Sequence, residues 1–87
     1  MRKRIVVSGR VQGVFFRDTV RNAAERAEVS GWVRNNRDGT VEAVLEGAHD
    51  AVERVLAASR EGPPGARIEG FETFDEPEEG IEGFRVR

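Results

Sequence analysis

Nine consecutive residues, Gly9-Arg10-Val11-Gln12-Gly13-Val14-Phe15-Phe16-Arg17, concentrate the groups that could do chemistry. They follow the apolar run Ile5-Val6-Val7 and lead into a helical pattern that begins near Phe16. The stretch reads as a strand–loop–helix corner with glycines at both ends of the loop. Such a corner can aim several backbone N–H groups, together with the N-terminus of the helix, at one point. Those N–H groups have no intrahelical partner and the helix end carries partial positive charge, so the concavity suits an anion. Arg17 adds a planar cation whose paired donors match phosphate oxygens. The helix dipole disfavours a cation in the first turn, so helix stability does not explain Arg17. On its own, however, the loop also reads as an ordinary strand–helix turn with a surface arginine, because glycine-rich turns are common.

The other chemistries are thinly supported. There is no cysteine, which removes disulfides, thiolate metal sites and cysteine nucleophiles. The single histidine, His49, stands at the start of a predicted helix and reads as a capping or surface residue. One His and no Cys argue against zinc. Nothing in the spacing of Asp18 and Asp38 supports magnesium, and the Gly-Lys-Ser/Thr phosphate-loop pattern is absent. No metal and no cofactor are expected. Asn35 offers an amide that both donates and accepts, but by residue type it reads equally as a turn former before Asn36-Arg37-Asp38-Gly39.

The elements that must position these groups follow from periodicity. Lys3 to Gly9 is read as strand one. Phe16, Val20, Ala23, Ala24 and Ala27 form one face of a helix that runs to about Glu28, with Arg21 and Glu25 paired on the outside. Trp32 to Asn35 and Thr40 to Glu46 are read as strands two and three across an Asp38-Gly39 turn. His49 to Arg60 is a second helix, which the Glu61-Gly62-Pro63-Pro64-Gly65 loop ends. Ile68 to Phe74 is strand four, Asp75 to Gly80 an acidic surface loop, and Gly83 to Arg87 a short terminal strand. The order β-α-β-β-α-β plus a terminal strand gives an α+β, ferredoxin-like split βαβ sandwich, with two helices on one face of an antiparallel sheet. Right-handed crossovers then place strand three between strands one and two. Strands one and two run parallel and end at the same edge, so Asn35 can lie beside the loop although 18 residues separate it from Arg17.

The 87 residues suit a single domain spanning 1–87. Net charge is -2, yet residues 1–40 carry +5 and residues 41–87 carry -7. A small anion would be drawn to the positive half, whereas the acidic half is read as a solvated surface. No signal peptide or apolar run long enough to span a bilayer is present, so a soluble, cytoplasmic protein that does not bind membranes is expected.

The pattern Gly9-x-Val11-Gln12-Gly13-Val14-x-Phe16-Arg17 resembles the signature of the acylphosphatases, enzymes that hydrolyse the mixed carboxylic–phosphoric anhydride. Gly31-Trp32-Val33-Arg34-Asn35, followed by Asp38-Gly39-Thr40-Val41, is similar to their second signature block. The resemblance implies that Arg17 and the backbone N–H groups of Arg10, Val11, Gln12, Gly13 and Val14 bind phosphate. It implies that Asn35, rather than Asn36, holds the attacking water. Gln12 is expected mainly to shape the loop, and Trp32 to pack at the sheet surface. The expected ligands are a small acyl phosphate and inorganic phosphate, acted on by a monomer. Neither block specifies a site for the acyl group. Two rival functions are weighed. RNA binding would need aromatic residues on adjacent central strands, and strands one and three have none in their interiors, so no nucleic acid is expected. The second rival is a phosphate-binding regulatory domain that keeps the loop but lacks turnover; related domains occur in larger hydrogenase-maturation proteins, acting on carbamoyl phosphate. It is disfavoured because Arg17 and Asn35 are both present and no flanking sequence is seen.

Overall fold

The computed structural model describes residues 1–87. The chain forms β1 (Arg2–Arg10), α1 (Phe16–Ala27), β2 (Ser30–Asn35), β3 (Val41–Glu46), α2 (His49–Glu61), β4 (Arg67–Asp75) and β5 (Phe84–Val86). The strands make one five-stranded sheet in the order β4-β1-β3-β2-β5. β3 lies between β1 and β2, as right-handed crossovers require. The architecture is the ferredoxin-like α+β arrangement expected from the sequence. Its one departure from an all-antiparallel sheet is β5, which pairs parallel to β2.

Period-two alternation sorts β1 and β3 between two faces. Ile5, Val7, Val41, Ala43 and Leu45 point to the helices and are fully buried. Phe16, Val20 and Ala24 of α1 and Ala51, Val52, Val55 and Leu56 of α2 close over them, and these residues share one core cluster. Ala23 and Ala27 pack against its margin, so the small residues let α1 lie close to its neighbours. Ser59 is the buried polar residue of α2, and its hydroxyl donates to the Val55 carbonyl at 2.7 Å, which satisfies it. No helix is long and apolar enough to cross a membrane.

The opposite face of the sheet corrects the reading of the acidic half as solvated surface. Arg2 and Arg4 there meet Glu46 and Glu42 of β3, each at 3.3 Å, and both reach Glu76, at 3.1 and 2.9 Å. Glu46 also accepts the Glu79 and Gly80 N–H groups, at 3.0 and 2.7 Å. The segment after β4 is thereby fastened across the sheet. Those backbone N–H groups, helped by Arg2, hold the Glu46 carboxyl below its ordinary pKa, against the opposing effect of burial. Burial pushes Glu42 up, but hydrogen bonds from Arg34 and Asn36 and the charges of Arg34 and Arg4 bring it below the ordinary value. On α1, Arg21 pairs with Asp18 at 3.4 Å and not with Glu25. Positions three and four apart are both neighbours on a helix, so spacing alone does not choose between them.

Two glycines set the geometry around the corner. At Gly9 the β1–β4 register shifts. Its φ is +115°, and a Cβ there would stand 2.2 Å from the Arg67 carbonyl oxygen. The bulge turns the end of β1 into the loop. At Gly31 φ is +146° and a Cβ would meet the Val44 oxygen at 1.8 Å, so only glycine lets β2 start this close to β3.

Candidate active site

Register brings the two signature blocks together. Val41 of β3 is the partner of Val7 on one side and of Asn35 on the other. Asn35 therefore lies two strand spacings, about 10 Å, from Val7, toward the edge where β1 becomes the loop. A direct tether fixes the relation further. The Gln12 side-chain amide donates to the main-chain carbonyls of Asn36 and Thr40, at 2.7 and 3.0 Å. Gln12 thus shapes the loop, as its position in the motif suggested, by holding it to the β2–β3 turn.

Within the loop, Val11 is 1% exposed and anchors the chain in the core. Gly13 and Phe15 both adopt positive φ, 75° and 65°. Phe15 stands at the N-cap of α1 and provides no side-chain cap. No backbone N–H from Gln12 to Asp18 donates to an acceptor in the chain; the next, that of Thr19, donates to the Phe15 carbonyl at 3.1 Å. A run of unpaired donors at a helix N-terminus is the arrangement that attracts an anion.

Beside this run lies a cavity of about 370 Å³ whose walls include Gly13, Phe15, Arg17, Asp18, Asn35 and Val86. Arg17 and Asn35, from different elements, open onto the same space. Arg17 Nη1 donates to the Arg87 carbonyl at 2.9 Å, so the C-terminal residue steadies the guanidinium. Asn35 is exposed and makes no side-chain hydrogen bond within the chain. Asn36 differs sharply. Its amide nitrogen donates to Thr40 Oγ1 and Glu42 Oε1, at 3.0 and 3.2 Å, and its oxygen accepts from Arg34 Nε at 3.1 Å. Of the two, only Asn35 is free to take a ligand. Asp38 is engaged in the same turn, where hydrogen bonds from Thr40 lower its pKa.

Other residues singled out in the sequence do not line this cavity. Arg10 ends β1 opposite Arg67 and is exposed, outside the cavity wall. Val14 borders a neighbouring depression instead. Trp32 sits on the outer sheet face between the guanidiniums of Arg34 and Arg87, 4.9 and 4.7 Å from the ring centre. His49 is exposed at the start of α2 beside Asp50, at 3.4 Å. Nowhere do three His, Asp or Glu side chains converge into a metal-binding group. Sequence reading missed Phe15, Phe16, Asp18 and Val86 as wall residues. Phe15 had one signal: helical periodicity buries Phe16 and so turns its neighbour outward. Val86 had none, because its place depends on how a three-residue strand pairs.

The acylphosphatase family model matches residues 3–86. The chain belongs to the acylphosphatase family. It is 59% identical over 87 residues to the acylphosphatase of Rubrobacter xylanophilus, covering 99% of this chain and 79% of that one. It is 46% identical over 88 residues to the Natronomonas pharaonis acylphosphatase, covering 100% and 95%. The crystal structure of acylphosphatase from Bacillus subtilis superimposes with a TM-score of 0.94 at 34% identity, covering 99% of this chain and 97% of the other. Family membership places the protein among the hydrolases of acid anhydrides.

Proposed function

We propose that this protein cleaves the carboxyl–phosphate anhydride of acyl phosphates by direct attack of water at phosphorus, releasing a carboxylate and inorganic phosphate. The observation that carries the reading is the convergence of Arg17 and Asn35 on one cavity beside the unpaired N–H groups from Gln12 to Asp18.

The chemistry asks for little more. The leaving carboxylate has a conjugate acid with a pKa of about 4 and departs without a proton, so no general acid is needed. Phosphoryl transfer is mainly positioning and charge stabilisation. In this reading the loop N–H groups, Gln12 to Val14 foremost among them, and the Arg17 guanidinium hold the phosphoryl oxygens. Val11 also lines the cavity, and Arg10 supports the loop from the end of β1. The Asn35 amide, which both donates and accepts, orients the water. A phosphate oxygen of the substrate takes the water's proton. The Arg87 carbonyl limits the rotamers of Arg17 and so reduces the entropy lost when phosphate binds.

Hydrolysis of benzoyl phosphate by the wild type, Arg17→Ala and Asn35→Ala, with and without EDTA, tests the proposal. Rapid EDTA-insensitive cleavage that both substitutions abolish supports it. Binding of inorganic phosphate without cleavage by the wild type would reassign the protein as a phosphate-binding module. Cleavage that survives both substitutions would move the chemistry elsewhere.

A further inference from the structure

We infer that Phe15 selects the acyl half of the substrate and favours acyl phosphates bearing an aromatic or branched hydrocarbon over acetyl phosphate. The inference rests on the acyl-phosphate reading above and adds to it the class of leaving group.

The ring of Phe15 has no structural reason to be where it is. It is 77% exposed, whereas its neighbour Phe16 is 1% exposed in the core. Its backbone is left-handed, at φ 65°, ψ 28°, a conformation that a glycine would hold without strain. A side chain that gains no burial and strains its own backbone is not accounted for by folding. Its location offers an account. Phe15 borders the cavity that holds Arg17 and Asn35 and also a second depression of about 630 Å³, walled by Val14, Pro63 and Pro64. Phe15 thus stands between the phosphoryl site and a depression that carries a valine and two prolines on one side and Asp18, Thr19 and Asn22 on the other.

Reaction geometry picks out that surface. In an in-line displacement, the water and the leaving oxygen lie on opposite sides of phosphorus. Asn35 borders the first cavity and not the second. With water at Asn35, the acyl group projects away from it, past Phe15 and toward Val14 and the prolines. A neutral hydrocarbon gains there from burial and from contact with the ring face or edge. Asp18, which borders both spaces, sets its negative charge against acyl groups carrying a second carboxylate.

The test compares two hydrolysis-resistant analogues in which CH2 replaces the anhydride oxygen: phenacylphosphonate, matching benzoyl phosphate, and acetonylphosphonate, matching acetyl phosphate. Calorimetry on the wild type should show the phenacyl compound binding roughly tenfold more tightly, and Phe15→Ala should reduce that preference to about twofold. Phe15→Asn keeps a residue that tolerates the left-handed backbone and should behave like Phe15→Ala. Affinity for inorganic phosphate, which reads the N–H groups and Arg17 without an acyl group, should change by less than about threefold in either variant. The kcat/KM ratio for benzoyl over acetyl phosphate should fall in parallel. An unchanged phosphonate preference in both variants overturns the role of Phe15, as does an equal loss of all three ligands, which would make the ring a support for the loop. Absence of turnover with every acyl phosphate would sink the hydrolase reading by itself, while the phosphonate ratio would still judge the ring.

Discussion

Replacing Asn35 and Asn36 by alanine, one at a time, separates the placing of water from the support of a turn. The two residues are adjacent and chemically identical, yet their surroundings are opposite. Asn36→Ala removes three side-chain hydrogen bonds, of 3.0, 3.2 and 3.1 Å, in a half-buried setting. At the lower end of 0.5–1.5 kcal/mol net for each bond, the loss is about 1–2 kcal/mol. For a domain of this size that lowers Tm by about 5–15 °C. The Gln12 tether survives, because it ends on the main-chain carbonyls of Asn36 and Thr40. Turnover of Asn36→Ala should therefore stay within about tenfold of wild type. Asn35→Ala removes no bond from the folded chain, so its stability should lie within about 0.5 kcal/mol of wild type. Its kcat should fall roughly a hundredfold, as when a positioned transition-state donor is lost. Thermal melts and benzoyl phosphate kinetics on both variants give the four numbers. If Asn36→Ala loses the turnover while Asn35→Ala loses the stability, the assignment of the water to Asn35 is refuted.

Arg17→Ala should lower turnover at least roughly a hundred- to thousandfold and weaken inhibition by inorganic phosphate; equal inhibition of variant and wild type would contradict the clamp. Gly9→Ala places a Cβ 2.2 Å from the Arg67 oxygen at φ +115° and should cost about 2–4 kcal/mol. Gly39→Ala, with nothing within 4 Å at φ +94°, should cost only about 1 kcal/mol, and denaturant midpoints compare the two. Glu46 and Glu42 have pKa values below the ordinary 4.5. Their contribution to stability is complete above that value and is lost as pH falls through the depressed ones. Glu46→Gln should lower Tm at neutral pH and flatten the decline of Tm in acid; an unaltered acid slope would mean that other carboxyls dominate.

The parts of the fold that were legible in the sequence are those carried by local patterns. Phe16, Val20 and Ala24 announce the inner face of α1, Asp38-Gly39 announces the β2–β3 turn, and the glycines frame the loop. That Asn35 can lie beside the loop followed from topology, because two parallel strands flanking a third end at one edge, whereas the choice of Asn35 and Arg17 rested on the family resemblance. What stayed hidden depends on register and on backbone states that side-chain type does not encode. Arg2 and Arg4 alternate with Lys3 and Ile5, a pattern that reads as a wet strand face until the partners across β3 and after β4 are known. The parallel pairing of β5, which brings Val86 to the cavity and Arg87 to Arg17, leaves no periodicity in three residues. Phe15 carries a left-handed backbone usually given to glycine or asparagine, so its place in the cavity wall could not be read from residue type, although the burial of Phe16 turns it outward.

The most direct test of the central claim is a titration of the ¹⁵N-labelled protein with inorganic phosphate, followed through backbone amide and guanidinium shifts. Binding at the proposed site predicts saturating changes concentrated in the N–H groups from Gln12 to Asp18, in Arg17 Nε and in the Asn35 side-chain amide, at the concentrations where phosphate inhibits hydrolysis. Changes that instead gather in the groove between the helices, around Arg26 and Arg54, or that leave the Gln12–Asp18 amides unmoved while hydrolysis is inhibited, would contradict it.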